Sequence, residues 1–243
     1  MRTVYREQMD TFAHDLILMC DHIHAMHRNA ARALLEADLE LAESVLSEVD
    51  RLDELRVRCE DRAFELLALE APVARDLRQI VSGISIVEDL SRMGALSVHI
   101  ATTARRRHPE RTLPADVEGF FREMASVCGR ITESMREILI TYDVELALSM
   151  AQDDDGVDDI HHHLFTLTTN EDRWPHGSRA TVDVTLLSRY FERYADHAVE
   201  IAARVVYMAT GYKPAEYLDR RESEADDRQI RERLAKLERH FDN

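Results

Sequence analysis

Glu192 and Asp196 stand one helical turn apart within the stretch Leu186–Met208, LLSRYFERYADHAVEIAARVVYM. Two carboxylates at i and i+4 share a helix face, where they repel by a few tenths of a kcal/mol unless a cation or a basic group compensates them. A second acidic surface lies upstream, with Asp153, Asp154, Asp155, Asp158 and Asp159 followed by His161, His162 and His163. Carboxylate oxygens suit hard cations such as Mg²⁺, Ca²⁺ or Mn²⁺, and added imidazole suits iron, nickel or zinc. The candidate ligands are Glu192, Asp196, Asp155, Asp158 and Asp159, which a short connection between neighbouring helices would bring into one cluster. His197 follows Asp196 directly, projects about 100° away and reaches only the edge of such a site. With 47 acids in 243 residues, chance alone gives roughly nine acid pairs at this spacing. Spacing by itself therefore leaves a solvated acidic face open beside a metal site.

Other chemistries are absent from the sequence. There is no glycine-rich phosphate loop, nucleophile elbow, Cys-x-x-Cys or His-Glu-x-x-His. The Glu-x-x-His pair of buried di-iron bundles is missing too. His22, His24 and His27 do not share one face and read as surface or half-buried residues. No nucleophile has a base beside it, so a non-enzymatic protein is expected, with a metal-carboxylate bundle enzyme or a metal store as the alternative. A net charge of −16 argues against nucleic acid, whose phosphates need a basic footprint. Cys20, Cys59 and Cys128 are isolated and odd in number, as in a reducing compartment. The first residues lack an apolar leader, and no apolar run approaches a membrane span. The expectation is a cytoplasmic protein that meets membranes only through partners.

The elements that must position the acids are long helices, since 7 Gly and 5 Pro are few for this length. Phe12, Leu16, Met19, Ile23, Met26, Ala30 and Ala33 stripe a first helix over about residues 3–36. Asp38 caps a second, which carries Leu41, Val45, Leu52, Leu55 and Cys59 toward Pro72. A third runs over about 73–106 with Leu77, Ile80, Ile84, Leu90, Met93 and Ile100 inside, and Arg105–Arg107 favour its C-terminal dipole. The stretch His108–Pro114 is a break. Asp116 caps a fourth helix to about Tyr142, a fifth starts near Val144, and Asn170–Ser178 links it to a sixth. In the sixth, Leu187, Phe191, Tyr194, Ala198, Ile201, Val205 and Met208 form an a/d seam that ends at Gly211. Glu192 and Asp196 then occupy b and f, pointing away from that seam.

Helices one to three and four to six look like two copies of one unit. An offset of 105 aligns Glu48, Leu52, Asp53 and Leu55 with Asp153, Val157, Asp158 and Ile160. An offset of 101 aligns Ile86, Leu90, Met93, Ser97, Ile100 and Ala104 with Leu187, Phe191, Tyr194, Ala198, Ile201 and Val205. The difference makes the link between the second and third helices shorter in the second copy. Ser91 and Ala95 stand where Glu192 and Asp196 stand, so the fold does not require acids there. The expected fold is all-α: two tandem three-helix bundles over 1–109 and 113–212. A charged extension, 213–243, follows, in which Ile230, Leu234, Leu237 and Phe241 keep a helical period.

The two repeats, Pro72–Arg78 (PVARDLR) and Leu187–Ala198 (LSRYFERYADHA), with Asp53-Glu54-Leu55 and Asp158-Asp159-Ile160, resemble the PhoU phosphate-signalling proteins over about residues 1–212. The resemblance implies a negative regulator of phosphate uptake with two partners: the phosphate transporter's ATPase and a sensor histidine kinase. A homodimer is the expected assembly. It also implies a divalent or multinuclear metal (iron, zinc, nickel, manganese or magnesium) on the outer face bearing Glu-x-x-x-Asp. Because Ser91 and Ala95 replace the first repeat's acids, one cluster at most is expected.

Overall fold

The computed structural model describes residues 2–70 and 72–223, without the side chains of residues 2, 3, 69, 70, 152 and 153. The expectations for the tail beyond Ser223 and for the Asp153 side chain lie outside those residues. Among the described residues the elements are α1 (Arg2–Glu36), α2 (Leu39–Ser47), α3 (Val49–Glu70), α4 (Arg75–Arg107), α5 (Glu118–Thr141), α6 (Val144–Thr168) and α7 (Ser178–Thr210). Residues 214–223 are helical again, and no strand occurs among the described residues. α7 is helical from Ser178 onward, through Thr181–Thr185, whose polar and apolar residues alternate as in a strand.

α1, the α2–α3 pair and α4 pack as one three-helix bundle, and α5, α6 and α7 as the other. The bundles join through α1 on α5 and α4 on α7, so four helices form a central layer flanked by α3 and α6. The stripes of α1, α5 and α7 are buried as their periods require, and their side chains merge into one continuous core. Two glycines let α4 approach closely. A Cβ at Gly83 would stand 2.4 Å from the Phe12 ring, and one at Gly94 2.3 Å from Leu52 Cδ2.

Four expectations change. The second helix is two helices, broken at Glu48, whose backbone N–H reaches only to Val45 O. Ser44 and Ser47 donate to carbonyls three residues back, and the His22 ring lies 3.2 Å from the Glu48 carbonyl oxygen. Side chains thus compete for carbonyls that would continue the helix. Second, Leu77 and Ile84 are 40% and 38% exposed. They join Val81 on a solvent-facing stripe of α4, while Ile80, Ile86, Val87, Leu90 and Met93 carry the buried seam. Third, the connection from Thr168 to Ser178 is longer than that from Glu70 to Arg75. The second copy shortens its middle helix, not its link. Fourth, α5 takes Val117 as its N-cap without a side-chain bond, because Asp116 is paired with His176 at 3.1 Å.

The remaining caps follow the sequence. Asp38 accepts from Leu41 N–H at 3.0 Å, and Gly211 ends α7 with φ +84°. The arginines at the end of α4 do more than favour a dipole. Arg106 and Arg107 both grip Asp183 of α7, which is 2% exposed, and so lock the two bundles together.

Candidate metal centre

α6 and α7 run antiparallel. His161 Nδ1 lies 2.9 Å from Ser188 Oγ, and the Thr168 and Thr185 hydroxyls are 3.4 Å apart. Further along from that end, Asp154, Asp158 and Asp196 each present a carboxylate oxygen, all three within 4.8 Å of one another. Among the described residues this is the one group of three or more metal-ligating side chains so placed.

Glu192, four residues before Asp196, is outside that group but close enough to feel the charges of Asp196 and Asp158. It occupies position b and points away from the α7 seam, yet it is only 8% exposed, because α6 covers that flank. Pointing away from one helix's seam is not the same as facing water. Glu192 Oε1 accepts from Arg189, while Oε2 is buried without a partner. Asp154 Oδ1 is likewise buried without a partner. Asp196 Oδ2 accepts from Arg193 at 3.3 Å.

The electrostatics are those of crowded negative charge. Burial, followed by the charges of Asp158, Asp196, Glu192 and Asp155, pushes Asp154 up to about 7. Burial and then Asp196 raise Glu192, with Arg189 opposing. Asp158 is also raised, first by burial and then by Asp196. Buried carboxylate oxygens without a partner, as on Asp154 and Glu192, are groups that a cation would satisfy.

The expected ligands thus divide. Asp158 and Asp196 come together, whereas Glu192, Asp155 and Asp159 lie outside the group. The residue that replaces them is Asp154, which stands at i−4 from Asp158. The centre is built from two Asp/Glu-x-x-x-Asp pairs on neighbouring helices, a symmetry visible in the spacing. The imidazoles fall elsewhere: His161 is held by Ser188, and the His163 ring lies 5.0 Å from that of Phe120.

Two supporting residues, Asp89 and Arg204, carried no sequence pattern, and His197 stands at the edge of the site as its position after Asp196 requires. Asp89 of α4 is buried and contacts His197 Nδ1 at 3.1 Å while accepting from Arg204 Nε at 3.0 Å. Burial alone would raise its carboxyl, but those two bonds hold it below the usual range. His197, adjacent to Asp196, is thereby fixed by the other bundle. Asp89, Asp154, Arg193, Asp196, His197 and Arg204 line a cleft of about 440 Å³ beside the cluster. In the first bundle, Ser91 Oγ donates to Val87 O, Ala95 is exposed, and Glu88 pairs with Arg92.

The PhoU domain model matches residues 16–104 and again residues 121–205. The chain is 49% identical over 214 residues to the phosphate-specific transport system accessory protein PhoU homolog 2 of Mycobacterium tuberculosis, covering 88% of this chain and 100% of that one. It is 46% identical to PhoU homolog 1 of Mycobacterium leprae, over 88% of this chain and 96% of the relative. The crystal structure of PhoU from Pseudomonas aeruginosa superposes with a TM-score of 0.75 at 26% identity, over 86% of this chain and 100% of that one. The phosphate transport system regulatory protein PhoU from Streptococcus pneumoniae shares the fold, with a TM-score of 0.77 at 22% identity over 86% and 98% of the two chains. Two family matches that together take in most of the helical body, with nearly half the residues identical along the whole of a relative, make this chain a member of the PhoU family.

Proposed function

We propose that this chain is a regulator of phosphate transport that represses uptake and phosphate-starvation signalling when phosphate is plentiful. The observation that carries the reading is the 49% identity along the full length of a phosphate-specific transport system accessory protein. The finer mechanism is adaptor binding in the cytoplasm: helix surfaces dock on the transporter's ATPase and on a sensor histidine kinase, with no catalytic step of the chain's own. A homodimer belongs to the same reading. No helix among the described residues is long and apolar enough to cross a membrane, which agrees with contact through partners.

Within this reading, Asp154, Asp158, Glu192 and Asp196 hold a divalent cation. Their oxygen-only donor set suits Mg²⁺, Mn²⁺ or Ca²⁺. The bound ion supplies positive charge that pins α6 to α7, and Asp89 steadies the Asp196 turn through His197. Deletion of the gene tests the reading. Phosphate-starvation promoters are then active in phosphate-rich medium, and promoters that stay silent would overturn it.

A further inference from the structure

Leu77, Val81 and Ile84 share one face of α4 and are 40%, 50% and 38% exposed. Tyr207 of α7, itself 40% exposed, stands beside them, with Arg78 of α4 over its ring at 5.6 Å. Val81, Ala203 and Tyr207 line a groove of about 530 Å³ between the two helices. α3 packs on α1 and α4, and α6 on α5 and α7, so neither closes this junction. An exposed apolar stripe of this kind, set among polar residues, marks an interaction surface.

The chain carries a segment that matches it. Pro214 lines the same groove, Tyr217 packs on the core and Arg221 donates to Glu145 of α6. These three mark the side of the 214–223 helix that faces its own body. Neither glycine nor proline occurs from Ala215 to Asn243, so the sequence predicts that this helix continues. Ile230, Leu234, Leu237 and Phe241 recur at steps of four, three and four. At about 100° per residue they fall roughly 160° around the helix from Pro214, Tyr217 and Arg221. Their stripe is thus turned away from the body that carries it, and an apolar stripe facing water calls for a partner. Charge draws it to another copy: residues 228–239 carry five basic and two acidic side chains in a chain of net −16. The family matches end at residue 205, before this segment begins. We propose that the stripe of Leu77, Val81 and Ile84 seats residues 230–241 of a second copy, and that the reciprocal contact closes a symmetric dimer. The contact rests on the homodimer proposed above and names the surfaces that form it.

The test is analytical ultracentrifugation of the full chain. The wild-type chain sediments as a dimer. Val81→Asp/Ile84→Asp alters exposed positions of α4, and Leu234→Asp/Leu237→Asp alters the segment. Each pair raises the dissociation constant about a hundredfold or more. Mixing the two variants restores a dimer, since one brings an intact segment and the other an intact α4 face. A monomeric wild-type chain would overturn the contact and the homodimer beneath it. A dimer that survives either pair of substitutions would overturn the contact and leave the homodimer standing; survival of the α4 variant alone would show the two segments paired with each other. Failure of the folded variants to dimerise on mixing would also overturn it. The segment variant leaves the bundles untouched, so it tests the contact even if the α4 variant does not fold.

Discussion

Glu192 shows the conflict at the scale of single residues. A carboxylate that is 8% exposed, with one oxygen bonded to Arg189 and the other unpartnered, costs the fold about 1–3 kcal/mol or more. Asp154 is held in the same conflict, raised from 3.8 to about 7 by burial and by its acidic neighbours. Its folded form therefore takes up a proton more readily than its unfolded form. The stability this gives is complete below about pH 4 and is lost as pH rises to about 7. In chelator-treated protein, Asp154→Asn is expected to raise stability at pH 8 by about 1–2 kcal/mol, allowing for solvent screening, and to leave pH 4 unchanged. Urea unfolding at the two pH values checks this; equal gains at both would contradict it.

His27 works in the opposite direction. The notion of a surface or half-buried histidine fails here, because the ring is 1% exposed and lies 4.2 Å from Tyr194 in a stacked pair. Neither ring nitrogen has a well-aligned hydrogen bond. Burial pushes it from 6.5 down to about 4, with the Ala125 backbone offsetting only part. Stability from this residue is present above pH 6.5 and is lost as pH falls toward 4, by about 3 kcal/mol. His27→Phe keeps an aromatic ring against Tyr194 and should flatten the pH 4–6.5 limb of the unfolding curve. A variant that keeps the wild-type slope would show that another group titrates. Nothing in the spacing of His22, His24 and His27 revealed this burial, since the space His27 fills is closed by α7, far away in sequence.

Among the elements, α4 carries the most weight. It touches α1 and α3 through Gly83 and Gly94 and meets α7 through two ionic ties. Gly83→Ala would drive a methyl into the Phe12 ring and should cost about 1–3 kcal/mol by overpacking, measured by denaturant unfolding. The tie at Asp183 is buried, so removing both of its partners strands a charge. Arg106→Ala/Arg107→Ala is expected to cost about 3–5 kcal/mol, and a loss below 1 kcal/mol would show that water reaches Asp183. The long periods of α1, α5 and α7 were legible because every third or fourth residue faces one core. The α2–α3 break and the exposed stripe Leu77, Val81 and Ile84 were not legible. The break arises from serine side chains and His22 competing for carbonyls, and the stripe from the way α4 is oriented in its bundle.

For the whole molecule, repetition was the most informative pattern. Two copies of one unit follow from aligned apolar residues, and Ser91 and Ala95 stand in the first copy where Glu192 and Asp196 stand in the second. The ligands themselves were only partly legible. Asp158 and Asp196 converge, but choosing Asp154 over Asp155 and Asp159 required the rotation of α6 against α7, which spacing alone does not give. The function rests on the likeness to phosphate-transport accessory proteins. Its most direct measurement is the initial rate of labelled phosphate uptake by cells grown in phosphate-rich medium, with and without the gene. Faster uptake in the cells lacking the chain is the predicted result, and equal rates would contradict a role in restraining phosphate transport.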